Sequence, residues 1–151
     1  MSDRPADSSP RTESAASTPE NSNLANADDN SLGLALTITE AAEDRKGEDI
    51  LVLKVVGISY LADYFILITG FSRVQVRAIS QAIEAKVNEV WKRQPLRVEG
   101  LSEGTWVLQD YGDAIVHILM PEEREFYNLE AFWGHAERIQ LPSSVPETVA
   151  K

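Results

Sequence analysis

The segment Asp49–Val56, "DILVLKVV", is apolar at nearly every position. A strand with one face in water alternates polar and apolar residues; a strand that does not alternate is covered on both faces. A second strand, "DYFILIT" (Asp63–Thr69), follows a short "GISYLA" turn and is rich in aromatic and β-branched residues. Such strands need helices packed against their sheet, which points to a layered α/β arrangement.

The remaining segments supply those layers. "LGLALTITEAAEDRKG" has good helix formers, Arg45 and Lys46 at its end and Gly47 as a stop. Ser72 and Gln75 form a capping box that opens a helix over Arg73–Trp91. Val76, Ile79, Ile83, Val87 and Val90 recur three or four residues apart and predict one apolar stripe. Arg73, Arg77, Lys86 and Lys92 lie off that stripe and are expected to face water. Pro95 forbids continuation. "LRVEG", "TWVLQD" and "DAIVHILM" read as three more strands. "PEEREFYNLEAFWG" begins with Pro at a favoured first position, followed by acids, and predicts one short helix or two with Phe126, Leu129 and Trp133 turned inward. The order predicts an α/β fold with a mixed sheet of about five strands and flanking helices.

Residues 1–31 differ in kind. They contain one Leu and no aromatic residue, too little apolar surface to offset the entropy of ordering, and are expected to be a disordered acidic extension. The folded domain is expected over residues 32–139, with 140–151 a flexible tail. The extension is neither Arg-rich and acid-poor, as a transit peptide is, nor apolar, as a secretory signal is; a cytoplasmic location is expected. No apolar run approaches the length a bilayer needs, so no membrane span is expected. The chain of 151 residues carries a formal charge of -10 and no cysteine. The extension holds -4 of that charge, leaving -6 on the rest. Absent thiols exclude disulfides and cysteine–zinc sites. The acidity disfavours direct nucleic-acid binding and suits a basic protein partner.

"QDYGDAIVHI" (Gln109–Ile118) gathers two aspartates and a histidine around a turn. With Tyr111-Gly112 as a two-residue hairpin loop, Asp110 would face Asp113, Leu108 would face Ile115 and Trp106 would face His117, all six on one face. Directly opposed carboxylates repel unless solvent, a cation or a basic partner shares the site. Asp113 and His117 would lie roughly 13 Å apart along their strand. Ligands of one metal each sit about 2 Å from it, so this pair cannot chelate. His117 is expected as a half-buried imidazole beside Trp106. The aspartates serve turn formation, partner binding or both.

"ITGFSRVQ" offers a Gly-x-Ser turn and a helix N-terminus, where free N–H groups attract anions. Nucleotidyltransferases use such a turn together with paired carboxylates on a nearby strand. Here "LRVEG" supplies only Glu99 and no Asp-x-Asp occurs, so the metals of phosphoryl transfer have no seat. Ser72 is expected to be a helix cap; no metal and no cofactor is expected.

"EDILVL", "LADYFILITGFSRVQVRAI", "PLRVEGL", "WVLQDYGDAIVHI" and "PEEREFYNLEAFWG", in this order and spacing, resemble the ribosomal silencing factor family, also called iojap or RsfS. The resemblance spans Glu48 to about Trp133. It implies a nucleotidyltransferase-like sheet without the catalytic carboxylates and a non-enzymatic role. It implies binding to the large ribosomal subunit through ribosomal protein uL-fourteen, blocking of subunit joining, and repression of translation when nutrients are short. With the apposed acids and an exposed turn aromatic, it makes Trp106, Asp110, Tyr111, Gly112 and Asp113 the expected partner-binding residues, with Glu99 and His117 beside them. Two other readings stand: a nucleotide-binding or nucleotidyl-transferring protein using the helix start at Ser72, and a self-associating module working as a homodimer.

Overall fold

The computed structural model describes residues 30–141. Of the disordered extension expected over residues 1–31 and the flexible tail expected over 140–151, residues 1–29 and 142–151 lie outside the described residues. Helix α1 (30–44) turns Leu34, Ala35, Ile38, Ala41 and Ala42 inward, a single stripe at helical spacing. Strands β1 (Glu48–Lys54) and β2 (Tyr64–Thr69) follow, then helix α2 (Arg73–Trp91). The chain continues through β3 (Arg97–Glu99), β4 (Trp106–Asp110) and β5 (Ala114–Leu119). Helices α3 (Pro121–Tyr127) and α4 (Leu129–Phe132) precede a two-residue strand, β6 (Glu137–Arg138).

The strands form one six-stranded mixed sheet in the order β3-β4-β5-β2-β1-β6. The sixth strand corrects the expected count of about five. It is only two residues long and exposed, so no alternation announces it; it exists because it pairs antiparallel with Leu53 and Lys54 of β1. β2 and β5 are parallel and central, with every residue of β2 buried; the other pairings are antiparallel. Their successive side chains enter two cores. Val52, Ile66, Ile68, Val116 and Ile118 meet α1 and α2 on one face. Leu53, Phe65, Leu67 and Ile115 meet Leu129 and Trp133 on the other.

α2 buries Val76, Ile79, Ile83 and Val87, and each such side chain contributes about 1.5–3 kcal/mol by leaving water. Val90, expected in the stripe, is exposed, and its neighbour Trp91 packs against the core instead. The Ser72 hydroxyl accepts from the Gln75 N–H at 3.0 Å, and Gln75 Oε1 accepts from the Phe71 N–H at 2.7 Å. Lys92 then ends the helix in the left-handed region. Not all off-stripe cations face water. Lys86 pairs with Glu40 at 3.3 Å, and Arg77 bonds two backbone carbonyls. Ser31, assigned to the extension from sequence, is 2% exposed and donates to Asp113 at 2.8 Å.

Candidate functional site

The β4–β5 hairpin turns one residue later than the sequence suggests. The Tyr111 N–H donates to the Ala114 carbonyl at 2.9 Å, which makes Gly112-Asp113 the two-residue loop. Asp110 therefore pairs with Ile115, Leu108 with His117 and Trp106 with Leu119. Tyr111 causes the shift. It is 2% exposed, packed under α2 in the first core, and cannot also occupy a solvent-facing loop position. Burial pushes its phenol well above the ordinary value, and the nearby Glu84 charge adds to that. Gly112, with φ +94, takes the left-handed position instead. The slip moves every cross-strand pair by two positions and so leaves the side chains within the two strands on their expected faces.

The two aspartates do not face each other. Asp110 Oδ1 accepts from the Gly112 N–H at 2.8 Å, and Oδ2 lies 3.4 Å from Arg97. Asp113 turns the other way. Its carboxylate takes Arg93 at 2.8 and 3.3 Å and the Ser31 hydroxyl at 2.8 Å. Arg93 also donates to the Tyr111 carbonyl at 2.6 Å. Burial alone would raise the Asp113 carboxyl. The hydrogen bonds from Arg93 and Ser31, with the Arg93 charge, outweigh it and hold the group below the usual carboxylate range. Asp113 thus ties α1, the chain after α2 and the hairpin tip together. Its expected place on an open acidic face, like the exposed position expected for Tyr111, is corrected.

Trp106 and His117 do meet, diagonally rather than directly opposite: the Trp106 indole N–H donates to His117 Nδ1 at 3.1 Å. Phe65 stands edge-on to the imidazole at 5.9 Å. Burial lowers the His117 pKa from 6.5 to about 4, so the ring is neutral at physiological pH and carries its proton on Nε2. The sign of the linkage follows. The unfolded chain takes up this proton near pH 6.5 and the folded one only near pH 4. Stability should therefore decline as pH falls across that window. Denaturation followed by pH should show the decline, and His117→Asn should flatten it. An imidazole titrating near its ordinary value in the folded protein would contradict this placement.

Trp106 opens onto a groove of about 860 Å³. It is lined by Trp106 and Leu108 of β4, by Glu99, Gly100, Glu103 and Thr105 from the end of β3 and the connection after it, and by Glu122, Glu123, Phe126 and Tyr127 of α3. The rings of Trp106 and Tyr127 are 4.7 Å apart. Phe126, expected to point inward, is 78% exposed; the residues that anchor this region are Leu129 of the next helix and Trp133 at its C-cap. Arg124 fixes α3 to the sheet through Thr69 Oγ1 at 2.9 Å and to α4 through Glu130 at 3.2 Å. The Met120 N–H, at the start of α3, bonds the Thr105 carbonyl at 3.0 Å. The groove joins apolar rings to four carboxylates, which suits a cationic segment with an apolar stem. Of the residues expected from sequence, Trp106 and Glu99 line it and His117 supports Trp106. Asp110, Tyr111, Gly112 and Asp113 do not line it. Glu103, Glu122, Glu123, Phe126 and Tyr127 were missed. Glu122 and Glu123 read from sequence as the solvated first turn of a helix, and only the pairing of distant segments brings them beside Trp106.

The helix start at Ser72 offers little to an anion. Its hydroxyl and the Phe71 N–H are already engaged with Gln75, whose amide in turn donates to the carbonyls of Arg45 and Lys46 at 3.1 and 3.0 Å.

A sequence profile described as "Ribosomal silencing factor during starvation" matches residues 28–151. The chain is 45% identical over 101 residues to the ribosomal silencing factor RsfS of Bacillus subtilis strain 168, covering 67% of this chain and 85% of that one. It is 33% identical over 140 residues to the RsfS of Zymomonas mobilis, covering 93% and 96%. The fold is similar to a crystal structure of a protein from Chromobacterium violaceum, with a TM-score of 0.66 and 33% identity over 74% of this chain and 91% of that one.

Proposed function

Because the chain belongs to the ribosomal silencing factor family, we propose that it binds the large ribosomal subunit through ribosomal protein uL-fourteen, bars the small subunit by its bulk, and represses translation under nutrient limitation. The observation that carries this reading is the groove at Trp106. Four carboxylates and three aromatic side chains line it. Ribosomal proteins are mostly basic, and an acidic domain is steered to them while rRNA repels it. Direct sequence-specific contact with nucleic acid is not part of this reading. Blocking of this kind needs affinity and volume rather than catalysis, a cofactor or a metal.

In this reading the docking surface is Trp106, Glu99 and the α3 acids, with His117 holding the indole and Asp110 at the margin. Gly112, Asp113 and Tyr111 serve it by shaping the hairpin. The working domain is residues 32–139 with the helix start that precedes it. The parallel pair β2 and β5, with α2 rising from the Gly70-Phe71-Ser72 turn, supports descent from a nucleotidyltransferase-like sheet in which β3 retains only Glu99. We place the protein in the cytoplasm, acting as a monomer or homodimer. The test is co-sedimentation with isolated large subunits, followed by addition of small subunits. The expected result is a pelleted protein and no joined ribosome; protein left in the supernatant at micromolar concentration sinks the reading.

A further inference from the structure

We propose that Arg77 is a positioning residue for the docking groove, acting from the opposite face of the sheet; the proposal rests on the docking reading above. Arg77 belongs to α2, which packs on the first core, whereas Trp106 and Leu108 line the groove on the other face. Its side chain reaches the connection between β3 and β4. Nε donates to the Leu101 carbonyl at 2.8 Å and Nη2 to the Ser102 carbonyl at 2.7 Å. This connection supplies Gly100, Glu103 and Thr105 to the groove.

The connection is tight. The Gly104 N–H bonds the Gly100 carbonyl at 2.9 Å. Gly104 is buried against Arg77, and a Cβ there would come within 3.0 Å of the guanidinium carbon. A Cβ on Gly100 would run into the Trp106 carbonyl oxygen. The rim is thus pressed between Arg77 behind and the start of β4 in front, and its last carbonyl, Thr105, is held by the Met120 N–H. The planar fork of a guanidinium can hold two adjacent carbonyls at once, and the single ammonium of lysine cannot match that geometry. A rim released from Arg77 must be ordered when the partner arrives, at a cost in affinity.

Charge and position predict opposite signs, which makes the test sharp. Removing a cation from an acidic surface strengthens attraction to a basic partner, whereas loosening the rim weakens binding. The experiment compares wild type, Arg77→Lys and Arg77→Gln by amide hydrogen exchange in the free protein and by binding to isolated large subunits. Both variants should exchange faster at residues 101–105 with the rest of the domain unchanged. Both should bind about tenfold more weakly, the equivalent of ordering one or two side chains on docking. Lysine behaving like arginine in both measurements overturns the proposal, and so does tighter binding by Arg77→Gln. A wild type that fails to bind large subunits overturns the docking reading, and this proposal with it.

Discussion

Asp113→Ala should lower the folding stability of the domain by about 2 kcal/mol, since hydrogen bonds to a charged group are each worth about 1.5–3 kcal/mol and this site is partly open to water. For a domain of this size that is a drop of about 10 °C in Tm. The cost follows from where the group points. Its carboxylate takes Arg93 and Ser31, and its backbone carbonyl accepts the N–H groups of Asp63 and Tyr64 at 2.9 and 3.1 Å. Loss of the carboxylate leaves Arg93 with the Tyr111 carbonyl as its remaining partner and no counter-charge. Asp113→Lys should be worse, because two cations then share one site. Asp110→Lys breaks a pair with Arg97, whose side chain is 59% exposed, and an Asx turn, and should cost no more than about 1 kcal/mol. The folded-state pKa of Asp113 is depressed, so its contribution is present above the ordinary carboxylate range and is lost as pH falls through the lower folded value. Thermal unfolding of the three variants checks the order. Asp113→Lys with an unchanged Tm would show that the carboxylate is a surface group after all.

The legible parts of this fold are those specified locally. α2 runs from Arg73 to Trp91 as its capping box and stripe indicate, because cap, periodicity and stop all lie within the segment. The faces of β4 and β5 were also readable, since alternation survives a register slip of this kind. The pairing itself was not. Whether Tyr111 belongs to the loop or to the core is decided by α2 packing above it, not by its neighbours in sequence. The Arg93–Asp113 contact joins residues 20 positions apart across a helix end and a hairpin, and nothing in either stretch announces it. The groove was half legible for a related reason. Trp106 and Glu99 lie close in sequence, but the facing wall is set by Arg124 reaching Thr69, 55 residues away.

Glu103→Lys combined with Glu122→Lys should abolish large-subunit binding at physiological salt while leaving Tm nearly unchanged. Both residues are exposed and line the groove from different elements, the β3–β4 connection and α3, so the pair takes its four carboxylates to two carboxylates and two ammonium groups. Like charges meeting at an interface cost several kcal/mol, and an affinity loss of more than about a hundredfold follows. The fold should tolerate the change: exposed substitutions shift stability by about 0.5 kcal/mol, plus the modest loss of an acid near the start of α3. Association should slow most, and the salt dependence expected of wild type should flatten or reverse, because steering acts before contact. Trp106→Ala tests the other half of the site. It removes the ring that packs against Tyr127 and bonds His117, so it should speed dissociation rather than slow encounter. Charge reversal that leaves association untouched would move the docking surface away from this groove. Slow association with normal dissociation in the first variant, and the converse in the second, would divide the work between the carboxylates that attract the partner and the ring that retains it.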